Sequence, residues 1–398
     1  MCVLTNTGSH LRILFCTDTY PPQVNGVSVV TAISVRGLSE RGWTCAVVAP
    51  KYPPASSTAF ARDDSGAHRV AGESITTIPS VPLPVYPDVR LSWPSVSRIR
   101  RAIAACQPDV VHCVTEFVIG RIGMREARRR GIPVTTSYHT DFARYTASYG
   151  VPWLREPVMR SIVRFHQRAR RTFTPGRPAG DDLAARGVQH VEVWGRGVDI
   201  ERFHPSRRDA ALRETLGIGN RFAFLHVGRL AAEKGAALIL DAYRAAVAKL
   251  PADSTRLVIA GEGPSRAALE RDAPPGTIFL GFVDRERELP RLYASCDAFT
   301  FASTTETLGL VILEAMSSGI PVIAAPAGGV ADHLRDGVNG IAYPAHDVNA
   351  FTAAMLSVVS DRAKRDALAR GARATAEGLS WEKELDRLDA SYREVLRK

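Results

Sequence analysis

Residues 305–316 read Thr305-Glu306-Thr307-Leu308-Gly309-Leu310-Val311-Ile312-Leu313-Glu314-Ala315-Met316. The apolar positions recur at helical spacing, and Ser317-Ser318-Gly319 followed by Pro321 ends the run, so the pattern predicts a helix. Glu306 precedes this helix, where free backbone N–H groups and the helix dipole attract anions and polar ligands. Glu314 lies inside it, and an unpaired buried carboxylate is costly, so Glu314 needs water, an internal partner or a ligand. A lone Glu314 would be a solvated residue on an ordinary amphipathic helix, but the motifs that follow favour a ligand site.

Short apolar, β-branched runs alternate with helical segments over nearly the whole chain, which predicts repeated βα units and parallel sheets. The predicted strands are Arg12–Cys16, Thr44–Val48, Asp109–Val114, Val134–Tyr138, Arg171–Thr174, Val191–Val193, and then Phe222–Val227, Arg256–Ala260, Thr277–Gly281, Ala298–Ala302, Pro321–Ala324 and Gly340–Tyr343. The polar, proline-containing segment 199–206 separates the two series and is the predicted linker.

We therefore predict an α/β protein with two doubly wound Rossmann-like domains, at residues 1–200 and 201–378, facing a central cleft. Residues 379–398 are predicted to form a helix that packs back on the first domain.

Two strand-to-helix loops have a composition suited to phosphate groups. After the first strand, residues 18–27 lead into an apolar helix, and Gly26 can bring backbone N–H groups against a phosphate. In the second half, residues 228–235 place Arg229 and Lys234 beside Gly228 and Gly235, and two such cations suit a diphosphate. Each loop alone is equally explained by an ordinary turn or a capped helix start.

Two further segments follow strands directly. Gly261-Glu262-Gly263-Pro264 could let a ribose or phosphate approach, although it is a fragment of a common pattern. His139, in the segment 137–142, could donate to a phosphate or a sugar hydroxyl or serve in acid–base chemistry, although a structural histidine is the commoner explanation. His112 lies inside a predicted strand and is predicted to belong to the core.

Several enzyme classes lack their sequence signatures. The loop at Gly26 is not G-x-G-x-x-G, and the chain has no Walker loop, H-E-x-x-H or G-x-S-x-G, which argues against dehydrogenases, P-loop ATPases, zincins and α/β-hydrolases. If Glu306 and Glu314 were both helical, they would lie roughly 12 Å apart, beyond the ~5–9.5 Å of a glycosidase pair.

Composition predicts the compartment. The 398 residues contain no run of 18 apolar residues and do not begin with a basic segment followed by an apolar one, so we expect no transmembrane helix and no signal peptide. The six cysteines are scattered without C-x-x-C spacing, which suits a reducing cytosol better than a disulfide framework or a zinc site.

The net charge of +10 lies entirely in the first half. Residues 1–200 carry 25 Lys and Arg against 15 Asp and Glu, whereas residues 201–398 carry 26 against 26. The excess falls in three arginine clusters, at positions 98–101, 125–130 and 164–171. Positive charge confined to one half of the chain indicates an anionic binding partner. An anionic membrane surface is favoured over nucleic acid, since no RNA-binding or helix-turn-helix motif accompanies the arginines. The alternative is that these arginines are solvated residues on helix surfaces and are numerous because the genome favours arginine.

Taken together and in this order, the motifs resemble those of the family-4 retaining glycosyltransferases of the GT-B fold. Glu306 through Glu314 is similar to the E-x7-E motif of that family. The similarity continues over almost the entire chain, through Gly26, His139, Gly228-Arg229, Lys234, Gly261-Glu262-Gly263-Pro264, Ser318–Ala324, Ala327–Gly329 and Asn339-Gly340.

The resemblance implies that the first domain, residues 1–200, binds the acceptor and that the second, residues 201–378, binds the nucleotide-sugar donor. It also implies a role for each of the residues named above. Glu314 would hold the nucleotide ribose, and Glu306 with the backbone of Thr307, Leu308 and Gly309 would hold the donor sugar. Arg229 and Lys234 would neutralise the leaving diphosphate without a metal or another cofactor. Gly26, Gly228, Gly261 and Gly263 would lie at the donor, and His139 beside the transferring sugar. Transfer would retain the anomeric configuration by a front-face, oxocarbenium-like path.

The residues around Gly26, His139 and 194–199 further resemble those of GDP-mannose-dependent α-mannosyltransferases that act on glycolipids. Residues 307–310 also resemble the sulfoquinovosyldiacylglycerol synthases, so a sulfoquinovosyl- or glucosyltransferase that uses a UDP-sugar is the alternative. The expected partners are a nucleotide sugar, a lipid or glycan acceptor and an anionic membrane surface, with the protein cytoplasmic and peripheral to the inner face of the cell membrane. A non-catalytic nucleotide- or glycan-binding protein and a sugar-nucleotide epimerase of the same fold stay open.

Overall fold

The computed structural model describes residues 10–23, 25–52, 74–83, 86–139, 153, 155–195, 197–306 and 309–397. The chain divides into two units, one of Met1–Gly195 with Leu385–Lys398 and one of Arg196–Glu384. The division therefore falls after Gly195 rather than after residue 200. The last helix, Trp381–Arg397, contributes its residues from Leu385 onward to the first unit.

The first unit is built on a parallel sheet. Its strands are β1 (Arg12–Cys16), β2 (Thr44–Pro50), β3 (Ser74–Ile78), β4 (Ser80–Leu83), β5 (Tyr86–Ser92), β6 (Val110–Cys113), β7 (Val134–Ser137), β8 (Arg171–Thr174) and β9 (Val191–Val193). Seven of them form one sheet in the order β3-β2-β1-β6-β7-β8-β9, and β4 and β5 form a separate antiparallel ribbon. The helices are α1 (Gly26–Glu40), α2 (Val96–Cys106), α3 (Val118–Arg128), α4 (Arg155–His166) and α5 (Arg177–Ala185).

The second unit repeats this plan. Its strands are β10 (Phe222–Val227), β11 (Thr255–Ala260), β12 (Thr277–Gly281), β13 (Ala298–Phe301), β14 (Val322–Ala324) and β15 (Gly340–Ala342), in the parallel order β12-β11-β10-β13-β14-β15. The helices are α6 (Ala210–Thr215), α7 (Ala236–Val247), α8 (Arg266–Asp272), α9 (Leu289–Ser295), α10 (Leu310–Ser317), α11 (Val348–Ser360) and α12 (Arg362–Glu377). The last helix, α13 (Trp381–Arg397), begins in this unit and belongs to the first unit from Leu385 onward. Short 3-10 turns lie at Pro205–Arg207, Ala232–Lys234 and Gly328–Val330.

The central strands formed where the sequence predicted them because they are apolar on both faces. Every residue of β6 and of β13 is buried, as expected for parallel strands covered by helices on both sides. All twelve predicted strands are present, each with ends within two residues of the prediction. The sequence did not predict β3, β4 and β5. In β3, a Ser- and Thr-containing strand at the sheet edge, only Ile78 is buried, so it lacks an apolar run.

The first unit gains part of its core from the end of the chain. The Trp43 indole N–H donates to Asp389 at 2.6 Å, and Arg41 pairs with Asp386 at 2.6 Å. Tyr392 is fully buried with its ring edge against Trp43. Polar contacts at the rim of α13 thus fix the helix that closes one face of the sheet.

Each sheet has one point at which the strand order reverses, between β1 and β6 in the first unit and between β10 and β13 in the second. Connections leave in opposite directions there, so a crevice opens beyond the carboxyl ends of the strands, and doubly wound sheets bind ligands in that crevice. The residues of interest follow these strands. None of the helices within the described ranges is long and apolar enough to cross a bilayer.

Candidate active site

An ion pair bridges the switch point of the second sheet. Lys234 ends the 3-10 turn Ala232–Lys234 that follows β10, and Glu306 lies in the loop that follows β13. Lys234 Nζ is 2.9 Å from Glu306 Oε2, and both side chains are only about one-fifth exposed. Two residues 72 positions apart in sequence are therefore brought together where a ligand is expected.

The predicted glycines lie together beside this pair because two loops run in backbone contact. A Cβ at Gly261 would lie 1.8 Å from the Gly228 carbonyl oxygen, and one at Gly263 would lie 2.3 Å from the Leu230 carbonyl oxygen. The Leu230 N–H donates to the Glu262 carbonyl at 2.8 Å. Only glycine permits this approach at 261 and 263, and the contact fixes the loop that carries Arg229, whose side chain is partly buried.

The turn Gly328–Val330 contacts the backbone of Glu306 and fixes the loop that contains it. The Gly329 N–H donates to the Glu306 carbonyl at 2.7 Å, and a Cβ at Gly328 would lie 2.3 Å from that same oxygen. Gly309 precedes α10 with φ +65°, a conformation that favours glycine. Thr307 and Leu308, two of the predicted donor-binding residues, lie outside the described residues.

Glu314 is 2% exposed and has two partners that the sequence did not reveal. Its Oε1 accepts from Arg285 Nε at 2.9 Å, and its Oε2 accepts from the Tyr293 hydroxyl at 3.2 Å. Burial alone would lower the pKa of Arg285, but the Glu314 charge and hydrogen bond raise it above its usual value. Burial and then the Glu314 charge raise the pKa of Tyr293, so its hydroxyl stays a donor.

A neutral histidine, His226, packs against the loop that contains Gly228. His226 is fully buried, with Nδ1 3.1 Å from the Thr300 carbonyl oxygen and Nε2 3.6 Å from a Cβ placed at Gly228. Burial lowers the pKa of His226 to about 4, and the nearby Lys234 charge acts in the same direction. His226 therefore adds no charge to the site at neutral pH.

In the first unit, Gly26 opens α1 behind a hydrogen-bonded loop. Asn25 caps the helix, accepting from the Ser28 N–H at 2.9 Å and donating to the Thr19 hydroxyl at 2.8 Å. Asp18, just after β1, accepts from the Thr115 hydroxyl at 2.7 Å. These contacts join the loops after β1 and β6 across the switch point.

The two predicted histidines of the first unit have different environments. His112 lies in β6 with its ring nitrogens 2.9 Å from the hydroxyls of Thr135 and Ser137, which confirms that it belongs to the core. His139 follows β7, is 4% exposed, and its Nδ1 has no partner among the described residues. Burial lowers the pKa of His139 to about 4, so the ring is neutral at pH 7.

Glu116, which the sequence motifs did not single out, lies at the carboxyl edge of the first sheet. It lies three residues after β6, is 4% exposed, and its Oε1 has no hydrogen-bond partner in the described part of the chain. Burial raises the pKa of Glu116 to about 8. Its position after a strand, like that of His139, is a signal that could have identified it.

Metal-binding groups are absent from the described ranges, where no three His, Cys, Asp or Glu side chains converge on one point. The five described cysteines are free thiols.

Two family models match the chain. Residues 24–202 match the model for Glycosyltransferase Family 4, and residues 221–361 match the model for Glycosyl transferases group 1. Together they cover both units, with the break between them close to the division of the structure.

Similar proteins extend the match over the full length. A GDP-mannose-dependent alpha-mannosyltransferase of Mycobacterium tuberculosis is 33% identical over 97% of this chain and 97% of its own length. The sulfoquinovosyl transferase SQD2 of Arabidopsis thaliana is 35% identical over 76% of this chain and 60% of its own length.

Solved structures with little sequence identity share the architecture. HepE of Anabaena, in complex with UDP-glucose, superposes with a TM-score of 0.76 at 20% identity, over 97% of this chain and 100% of that one. Sucrose-phosphate synthase of Thermosynechococcus elongatus superposes with a TM-score of 0.78 at 18% identity, over 98% and 100%. The predicted α/β class with two Rossmann-like domains is confirmed. The chain therefore belongs to the family-4 glycosyltransferases and has the GT-B fold.

Proposed function

We propose that the chain is a retaining hexosyltransferase that moves an α-mannosyl residue from GDP-mannose to a glycolipid or glycan acceptor. The observation that carries the proposal is the ion pair between Lys234 and Glu306, which joins a cation suited to a diphosphate with a carboxylate suited to a sugar. The choice of donor is supported by the similarity, over 97% of both chains, to the GDP-mannose-dependent alpha-mannosyltransferase.

In this proposal Arg229 and Lys234 bind the donor diphosphate. As the bond from the anomeric carbon to the leaving oxygen breaks, negative charge builds on the diphosphate. Cations already held in place stabilise that charge without reorganisation, and the Gly228, Gly261 and Gly263 backbones hold the Arg229 loop. Glu306 keeps the Lys234 ammonium in position before a donor arrives.

The two acids then bind different parts of the donor. Glu306, with the backbone of Thr307, Leu308 and Gly309, holds the sugar, and Glu314 holds the ribose. The Arg285 and Tyr293 contacts leave room for this role, because a carboxylate offers about four lone-pair sites. Ribose hydroxyls can therefore donate to Glu314 beside its protein partners.

For the first unit, the resemblance implies that Gly26 offers the N–H groups of its helix start to phosphate and that His139 contacts the transferring sugar. A neutral His139 suits contact with an uncharged hydroxyl. The reaction follows a front-face path: the bond from the anomeric carbon to the diphosphate oxygen breaks, and the acceptor oxygen bonds to that carbon from the same side. The proton of the acceptor hydroxyl passes to the departing diphosphate, and the anomeric configuration is retained. No carboxylate serves as nucleophile.

We also propose that no divalent cation takes part, since Arg229 and Lys234 supply positive charge at the phosphates and the sequence has no Asp-x-Asp motif. Full turnover in EDTA is the expected result. Loss of turnover that Mg²⁺ or Mn²⁺ restores would contradict it.

A UDP-sugar donor, with sulfoquinovosyl or glucosyl transfer, is the second candidate. The 35% identity to sulfoquinovosyl transferase SQD2 favours it. The two candidates differ in the base and the sugar of the donor, and the described contacts of Glu314 and Glu306 suit either.

We further propose a cytoplasmic protein that attaches peripherally to an anionic membrane through its first unit. Arginines of two predicted clusters belong to one surface, because Arg100 of α2 and Arg129 and Arg130 of the α3 end all reach the buried carboxylate of Glu126. One acid does not balance these arginines, so the surface keeps a net positive charge.

The proposal is tested by incubating the protein with a panel of GDP- and UDP-sugars and vesicles that contain diacylglycerol or glycosyl-diacylglycerol. We expect acceptor-dependent release of GDP from GDP-mannose and a product with an α anomeric proton by NMR. Release of UDP alone would support the second candidate. Nucleotide binding without release would indicate a non-catalytic protein, and conversion of the nucleotide sugar itself would indicate an epimerase.

A further inference from the structure

Two buried polar atoms of the first unit lack partners at the same edge of its sheet. Glu116 Oε1 and His139 Nδ1 have no hydrogen-bond partner within the described ranges, and each residue is 4% exposed. Buried polar groups in native proteins are almost always hydrogen-bonded, so such atoms call for an explanation.

The strand register places these two residues at equivalent positions. Cys113 of β6 pairs with Thr136 of β7, and Glu116 and His139 each follow their strand partner by three residues. Neighbouring strands are about 4.8 Å apart, so the register brings both residues to the same carboxyl edge of the sheet, each in the segment that follows its strand. They lie next to the switch point at which the Asp18 loop meets Thr115.

The surroundings of Glu116 keep it uncharged. Burial is the main cause of its raised pKa of about 8, the Asp18 charge adds to the rise, and the Arg121 charge opposes it. Arg121 uses its Nε to donate to the Glu116 carbonyl at 2.6 Å and its Nη2 to donate to Ser161 at 3.0 Å. The carboxyl group is therefore a hydrogen-bond donor as well as an acceptor at neutral pH, and His139 at the same edge of the sheet has a neutral ring.

This arrangement selects a class of ligand. A neutral carboxyl and a neutral imidazole hydrogen-bond well to hydroxyl groups, which both donate and accept. They offer no charge to balance a phosphate or a cation. A polyol or sugar hydroxyl pair fits these two atoms.

We propose that Glu116 is an acceptor-binding residue that, together with His139, holds neighbouring hydroxyl groups on an uncharged polyol part of the acceptor. The inference rests on the proposed glycosyl transfer and adds a residue and a ligand class to it. Glu116 is expected to act through hydrogen bonding, so an amide should replace it and an aliphatic side chain should not.

The experiment compares full-length wild-type protein with the E116Q and E116L variants. Methyl α-D-mannopyranoside, myo-inositol and glycosyl-diacylglycerol vesicles serve as acceptor probes with GDP-mannose. For E116L we expect the KM for the effective probe to rise roughly tenfold, as for the loss of one hydrogen bond, with a smaller change in kcat. E116Q should keep a KM close to that of the wild type.

Two readouts separate ligand binding from a structural role. Wild-type KM should rise above about pH 8, where Glu116 ionises, and E116Q should remove this rise. The matched control is E126Q, because Glu126 is also buried in the first unit but is paired with arginines, and it should leave the acceptor KM unchanged.

The inference would be overturned if E116L had the same acceptor KM as the wild type. It would also be overturned if the acceptor KM changed with pH in the same way in the wild type and in E116Q. A wild type that releases GDP slowly from GDP-mannose but neither binds nor glycosylates any probe would overturn it as well. A wild type that does not bind GDP or UDP at all would instead refute the proposed function, whatever the variants do.

Discussion

The two units of this glycosyltransferase share a strand order around the switch point, but the glutamates near that point have different partners in the two units. In the second unit, Glu306 and Glu314 each bond to a cation, Lys234 and Arg285 respectively. In the first unit, Glu116 and His139 are neutral through burial and keep an atom without a partner. In the proposed function, Glu306 holds Lys234 in place for an anionic diphosphate, whereas the neutral, unpartnered groups of the first unit suit an uncharged hydroxyl ligand. The difference between the units would then correspond to the chemistry of the two proposed substrates.

The largest expected effect comes from removing the cations of the second unit. Replacing Lys234 or Arg229 with Ala removes a charge-assisted contact worth about 1.5–3 kcal/mol, so turnover should fall roughly ten- to a hundredfold. The measurement is the initial rate of nucleoside diphosphate release. R244A is the control, because Arg244 lies on α7 of the same unit but pairs with Asp241 and Asp272. If K234A and R229A both released nucleoside diphosphate at the wild-type rate, neither residue would be needed to bind the donor diphosphate.

A smaller effect is expected from a substitution that separates two contacting loops of the second unit, the loop of Arg229 and Leu230 and the loop of Gly261 and Gly263. A Cβ at position 263 would overlap the Leu230 carbonyl, so G263A should shift the loop that carries Arg229 and destabilise the fold by about 1–3 kcal/mol. Urea unfolding and the KM for the donor measure the two consequences. G378A is the control, since a Cβ there has its nearest neighbour at 3.4 Å. Equal stability and donor KM in the two variants would show that the close contact is unimportant.

The buried glutamates Glu116 and Glu126 of the first unit should respond to pH in opposite ways. Arginine hydrogen bonds lower the pKa of Glu126 to about 2, although burial opposes this, so its stabilisation exists above pH 4.5 and is lost as pH falls towards 2. Burial raises the pKa of Glu116 to about 8, so wild type loses stability as pH rises from about 4.5 through 8. E116Q should therefore gain stability relative to wild type with rising pH, at most about 1.4 kcal/mol per unit of pH, while E126Q is less stable at pH 7.

Urea unfolding of both variants from pH 4 to pH 9 checks these signs. If E116Q were destabilised at pH 7 as E126Q is, Glu116 would be a paired structural carboxylate, and the contrast between the units would lose its main support.

The smallest expected effect concerns the charge difference between the two halves of the chain. Each basic residue at an anionic surface contributes about 1 kcal/mol, and screening limits the field to about 10 Å at 0.1 M salt. Co-sedimentation with vesicles should rise with anionic lipid, fall with salt, and weaken in R98Q/R101Q/R128Q. The control has the same charge change in the second unit, R271Q/R362Q/R370Q. Equal binding to neutral and anionic vesicles, or binding to neither, would favour a soluble acceptor.

The sequence predicted the sheets well because their strands are continuous apolar runs with turn signals at both ends. The motifs also assigned Lys234 and Glu306 to one donor site, but they did not predict the ion pair, which forms because β10 and β13 flank the switch point. The strand β3 escaped prediction because an edge strand with one buried residue has no apolar run.

The partners within the site were harder to predict. Arg285 follows β12 and reaches Glu314 from a different loop, a contact that depends on tertiary packing and leaves no local pattern. Glu116 did have a signal, its place just after a buried strand, but its lack of a partner and its raised pKa depend on burial by residues distant in sequence.

Titration calorimetry with GDP, and with UDP alongside, tests most directly the claim that the second unit binds the donor nucleotide through its paired cations. We predict that GDP binds the wild type more tightly than UDP, and that K234A weakens GDP binding roughly tenfold or more while R244A does not. Failure of both nucleotides to bind, or equal GDP affinity in wild type and K234A, would contradict the account.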